Sequence, residues 1–185
     1  MKFNRLVLAG ALVLAVSSVF VLSGCTDEST RSVLTVVSVN DGSTYYSDLI
    51  NEADTAKIYI PVDEVKVTLG NVPHDGSAPL APGEPFSEIV VTGYSVTYSN
   101  SIFTPVTGGM NLRVPSGGTA EGTITLSNPS EKVALLSTLT STATGTANIT
   151  FTGYVRTSGN FGDYVTATGN LTVQVDNFGD ADVGN

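Results

Sequence analysis

The chain has 185 residues, with 8 Lys and Arg against 17 Asp and Glu, a formal net charge of −9, one histidine, one cysteine and no tryptophan. Nucleic-acid binding needs clustered cations to replace phosphate counterions, and the few cations here are scattered. A single cysteine forbids an internal disulfide, and a single histidine leaves any zinc site dependent on carboxylates.

Met1 to Arg5 carries two cations, Lys2 and Arg5, and Leu6 to Leu22 then runs without a charge. A basic start, an apolar middle and a small-residue end are the parts of a secretory signal peptide. The run is interrupted by Gly10, Ser17 and Ser18 and falls short of the ~20 residues that span a bilayer comfortably. Leu22-Ser23-Gly24-Cys25 resembles the lipobox of bacterial lipoproteins. The resemblance implies cleavage before Cys25, a diacylglyceryl group on its thiol, and acylation of the new amine, palmitate being among the expected chains. The implied location is the bacterial cell envelope, at the outer membrane in a Gram-negative cell. Several acyl chains hold durably where one does not, since each buried methylene adds roughly 0.8 kcal/mol. Residues 1–24 are then a signal peptide, 25–32 a lipidated tether, 33–175 the β-sandwich domain and 176–185 an acidic tail.

Beyond the polar tether the dominant period is two, which marks strands with one buried face. Val33 to Val39, nearly all apolar and β-branched, reads as a strand covered on both faces, and Asn40-Asp41-Gly42 as the turn that ends it. Tyr45 to Ala56 has no clean period and reads as a loop or short irregular strand. Ile58, Ile60 and Val62 alternate around Pro61, which removes a ladder donor and so marks an edge strand. Val65, Val67 and Leu69 form the next strand. Four prolines between Pro73 and Pro85 impose a stiff connection, read as an inter-strand loop.

From Glu88 to Ser99 the pattern puts Val90, Thr92, Tyr94, Val96 and Tyr98 on one face. The segment Gly93-Tyr94-Ser95-Val96-Thr97-Tyr98 resembles the tyrosine-rich middle strand of fibronectin type III domains. Met110, Leu112 and Val114 form a further strand, followed by Ile124 and Leu126. Asn128-Pro129-Ser130-Glu131 is a helix start, with a capping asparagine, proline at the first position and glutamate three residues after the cap. Val133 to Leu136 is expected on the buried side of this helix. The last hairpin sets Ala147, Ile149, Phe151, Gly153 and Val155 against Val165, Ala167, Gly169, Leu171, Val173 and Val175, with its turn over 158–163. The expected fold is all-β, a two-sheet immunoglobulin-like sandwich of about eight strands with one short crossover helix. A closed barrel is the alternative.

No catalytic constellation emerges. His74 sits in the proline-rich loop, no Gly-x-Ser-x-Gly occurs, and the glycine-rich turns lack a Walker lysine. The expectation is a non-enzymatic structural or binding module without cofactor, in contact with a membrane through the lipid on Cys25 and with an envelope protein or glycan as possible partner. Two alternatives stay open. A calcium-dependent adhesion or glycan-binding domain would draw on Asp176, Asp180 and Asp182, since hard cations want oxygen ligands from flexible acidic loops. A hydrolase would need two carboxylates at glycosidase spacing. Tyr59, Tyr154 and Tyr164 fall in the outward register and could serve as a platform for a partner or glycan.

Overall fold

The computed structural model describes residues 32–53, 57–73, 87–157 and 160–178. Among them the elements in order are β1 (Ser32–Val39), a 3₁₀ turn (Asn40–Gly42), β2 (Tyr45–Asp48), β3 (Glu64–Pro73), β4 (Ile89–Tyr98), β5 (Val106–Val114), β6 (Thr119–Thr125), α1 (Pro129–Leu136), β7 (Ala143–Thr157) and β8 (Asn160–Asp176). One sheet has the order β1-β3-β6 and the other β2-β8-β7-β4-β5. All pairings are antiparallel except β2 with β8.

This is the arrangement of an immunoglobulin-like sandwich. The opening strand lies in the small sheet, and the chain crosses at Asn40–Gly42 to lay β2 parallel to the last strand. That crossing needs left-handed backbone: Asn40 and Asp41 both have φ of 50° and Gly42 has φ of 80°. Asn, Asp and Gly are the residues that accept such angles at least cost.

Alternation builds the core as expected. Val65, Val67 and Leu69 of β3 and Ile124 of β6 are buried against Tyr94 and Val96, Ile149 and Phe151, and Leu171 and Val173 of the other sheet. The sheets close tightly where side chains are small. A Cβ on Gly169 would stand 2.8 Å from Val36 Cγ1, so the glycine lets β1 approach β8.

Four local expectations are corrected. β1 is an edge strand covered on one face only: Val33 and Val37 are exposed, and a register shift between Val36 and Ser38 returns Val39 to the core. Residues 58–62 form no strand. Tyr59 makes a single bridge to Asn51, and Ile58 and Val62 stay exposed, because Pro61 cannot donate to a ladder. In β4, Val91 pairs with Gly153 and Gly93 with Thr152, so Thr92 is an extra residue opposite β7. The bulge flips the face: Ile89 and Val91 join Tyr94 and Val96 in the core, while Thr92 is exposed. On α1, Val133 and Leu136 are exposed and the buried residue is Lys132.

β7 reaches Thr157 and β8 begins at Asn160, so residues 160–163, expected in the turn of the last hairpin, belong to a strand. The proline-rich loop from His74 onward lies outside the described residues.

Candidate functional site

The deepest polar feature is an ion pair at one end of the sandwich. Asp63 precedes β3 and is 2 % exposed, and Lys132 in α1 is fully buried. Lys132 Nζ lies 2.6 Å from Asp63 Oδ1 and also donates to the main-chain oxygens of Asp48 at 2.9 Å and Pro61 at 2.8 Å. An ammonium has three donors, and all three are used. Asp63 is served equally well: Ser47 Oγ donates to Oδ2 at 2.6 Å, the Ser127 hydroxyl donates to the same oxygen, and Tyr45 OH donates to Oδ1 at 3.4 Å.

Local sequence explains each position. The Asn128 side chain accepts from the Ser130 N–H and Pro129 opens the helix, which turns Lys132 inward. β2, short and parallel to β8, brings Tyr45, Ser47 and the Asp48 carbonyl to the same place. Burial, with Asp63's charge and hydrogen bond adding to it, pushes the Tyr45 phenol up, so it stays a donor. The arrangement is a clasp joining β2, the start of β3, the end of β6 and α1. The three donors of Lys132 and both carboxylate oxygens of Asp63 are engaged, as a buried charge pair requires. At the far end of β3, Asn71 Nδ2 ties Ser87 O at 2.7 Å and Val114 O at 3.1 Å.

Around the clasp, Tyr98 OH donates to Leu126 O at 2.6 Å, and the Thr125 N–H donates to Tyr94 OH at 3.0 Å. Tyr98 stacks edge-on against Phe103 at 5.5 Å. Its phenol is also pushed up, by burial first and by Asp63 and Glu131 after it. Between α1 and residues 97–105 lies an open cleft of ≈ 560 Å³, with Tyr98, Phe103 and Leu135 among its walls. Glu131 bridges it, accepting from the Thr104 N–H at 3.0 Å and from the Thr104 hydroxyl.

The outer face of the five-stranded sheet is different in kind. Across β7 and β8 the pairs are Thr146 with Thr172, Asn148 with Asn170, Thr150 with Thr168, Thr152 with Thr166 and Tyr154 with Tyr164. Outward positions from Thr144 to Tyr154 and from Tyr164 to Gln174 carry no charged residue. Threonine suits a strand, and matched pairs across a ladder support one another. The hydroxyls of Thr92, Thr97 and Thr152 donate to main-chain carbonyls of the neighbouring strand at 3.4–3.5 Å. Beyond the tyrosines the neutral face ends at Arg156, whose Nη1 lies 3.3 Å from Glu88 Oε2.

Of the residues singled out from sequence, Cys25, His74, Asp180 and Asp182 lie outside the described residues. Asp176 closes β8, where its carboxylate accepts from the Thr142 hydroxyl and, at 2.8 Å, from the Asn177 N–H. No group of three or more His, Cys, Asp or Glu able to hold a metal ion occurs among the described residues. Tyr154 and Tyr164 stand directly opposite each other, but Tyr59 belongs to the bridge at Asn51, so the three do not form one platform. Sequence reasoning missed Asp63 and Lys132. The available signal was a lysine on the helix side shared with Leu135, with an aspartate directly before an alternating strand.

No protein-family model matches the chain, and no curated protein matches it. Among solved structures the chain is similar to the N-terminal domain of PorA, at 14% identity, covering 80% of this chain and 100% of that one with a TM-score of 0.27. A superposition that loose defines neither family nor function.

Proposed function

We propose that the chain is a bacterial lipoprotein, held by lipid on Cys25 at a membrane of the cell envelope, whose sandwich acts as a non-enzymatic structural or binding module. The observation that carries this reading is Leu22-Ser23-Gly24-Cys25 at the end of an uncharged run with a basic start. The first strand begins at Ser32. At ~3.3–3.6 Å per residue, the stretch from Cys25 reaches at most roughly 25 Å, which keeps the domain close to the bilayer. The clasp supports a module rather than a catalyst, because the titratable pair at its centre is buried and each of its polar atoms is spent on a structural partner.

Replacing Cys25 with serine tests the reading. The variant is expected to leave the membrane fraction, with the sandwich still folded by circular dichroism. A Cys25→Ser protein that stays membrane-bound through carbonate washing would sink the proposal.

A further inference from the structure

We propose that the neutral outer face over β7 and β8 binds a neutral, extended polysaccharide. This rests on the reading of the sandwich as a binding module and names its ligand class. The argument begins with charge. A chain with a net charge of −9 repels anionic polymers, yet the outward positions of β7 and β8, the longest strands among the described residues, carry no charge from Thr144 to Tyr154 and from Tyr164 to Gln174. From Thr144 to Tyr154 that surface runs roughly 34 Å at ~3.4 Å per residue, long enough for several sugar units in a row.

Chemistry is the second argument. Hydroxyls and amides both donate and accept, as sugar hydroxyls do. On this face they repeat about every 6.8 Å along a strand and ~4.8 Å between strands. Where Thr152 gives its proton to Gly93 O, its oxygen lone pairs are left for an incoming hydroxyl. Asn148 and Asn170, paired in mid-face and both exposed, supply amide donors.

Geometry is the third. Tyr164 is 86% exposed and stands opposite Tyr154, so aromatic surface is offered at one end of the hydroxyl ranks. An aromatic ring covers the apolar face of a pyranose while neighbouring polar groups fix its orientation. An open sheet face fits an extended chain better than a compact ligand, which needs a concave site.

The experiment is native affinity electrophoresis of the full chain in neutral detergent. Gels carry hydroxyethyl cellulose, galactomannan, soluble β-1,3-glucan or, as the anionic control, polygalacturonate. Retardation is expected in at least one neutral gel and not in polygalacturonate. Thr168→Lys, in mid-face, and Tyr164→Ala, at its aromatic end, should each weaken it about tenfold or more, the effect of losing one well-placed contact. Thr119→Lys, on the outer face of the other sheet, should leave it unchanged. Mobility unaffected by every neutral polymer overturns the proposal, as does retention that survives both face variants. A dimer seen by sedimentation and dissolved by Thr168→Lys would also overturn it, by assigning the face to a second copy. An unlipidated Cys25 with retention intact would remove the anchor and leave the surface standing. A lipidated chain without retention would remove only the surface.

Discussion

Lys132 shows how one residue is fixed by three others. Its ammonium is held by Asp63, Asp48 O and Pro61 O, each within 2.9 Å. Removing one partner of a buried pair strands the other charge and typically costs about 3–5 kcal/mol, whereas replacing both with apolar groups often costs far less. Lys132→Met should therefore destabilise the fold by about that amount in urea melts. Lys132→Met with Asp63→Leu should recover part of the loss, but not all, because Ser47 and Ser127 then lose their acceptor. A double variant no more stable than Lys132→Met would contradict the account of the clasp. Alkaline pH probes its rim. The Tyr45 phenol sits above its ordinary 10.0, chiefly through burial. The folded chain thus keeps a proton that the unfolded chain releases above pH ~10, so this contribution is complete below that pH and is lost as pH rises beyond it. Tyr45→Phe should flatten the fall of Tm between pH ~10 and 11, and an unchanged slope would count against it.

At the scale of elements, the β4 bulge is the best test, because backbone meets backbone there. A Cβ on Gly153 would lie 2.5 Å from Val90 O and 2.9 Å from Val91 Cα. Gly153→Ala should cost about 1–3 kcal/mol or more, the usual range for overpacking that forces the main chain to move. A neutral effect would mean that the register around Thr92 is wrong. The same bulge marks the limit of what the sequence shows. Strict alternation over 88–99 predicts Val90 and Thr92 on the core face; one extra residue exposes Thr92 and puts Ile89 and Val91 in the core cluster, with Val90 buried outside that cluster, since strand period leaves no tolerance for a slip. The hairpin of β7 and β8 was legible because its apolar positions keep step from Ala147 to Val155 and from Val165 to Val175. α1 was legible at its cap, where Asn128 and Pro129 act locally, but not in its buried face. The cap turns Lys132 inward, but the partner it meets there is Asp63, distant in sequence, and no local pattern encodes that pairing. For the same reason the neutral face could not be read. Threonines on single strands look like ordinary β-formers, and only the register between β7 and β8 aligns them into ranks.

At the scale of the whole molecule, one core carries both sheets, and Phe151 lies fully buried within it. Phe151→Ala should cost about 3–5 kcal/mol, a large share of the 5–15 kcal/mol that a typical domain has in hand. Urea denaturation measures it, and a change below about 1 kcal/mol, the scale of surface substitutions, would contradict the sandwich core. The sandwich and its address are argued separately, the first from packing and the second from Leu22-Ser23-Gly24-Cys25. Together they make the central claim of a lipid-held module standing close to a membrane. Mass spectrometry of the N-terminal peptide of the protein purified from its native membrane tests that claim most directly. The account predicts a mature chain that begins at Cys25 and carries a diacylglyceryl group and an amide-linked acyl chain. A mature chain beginning elsewhere, or a Cys25 with a free thiol, would contradict it.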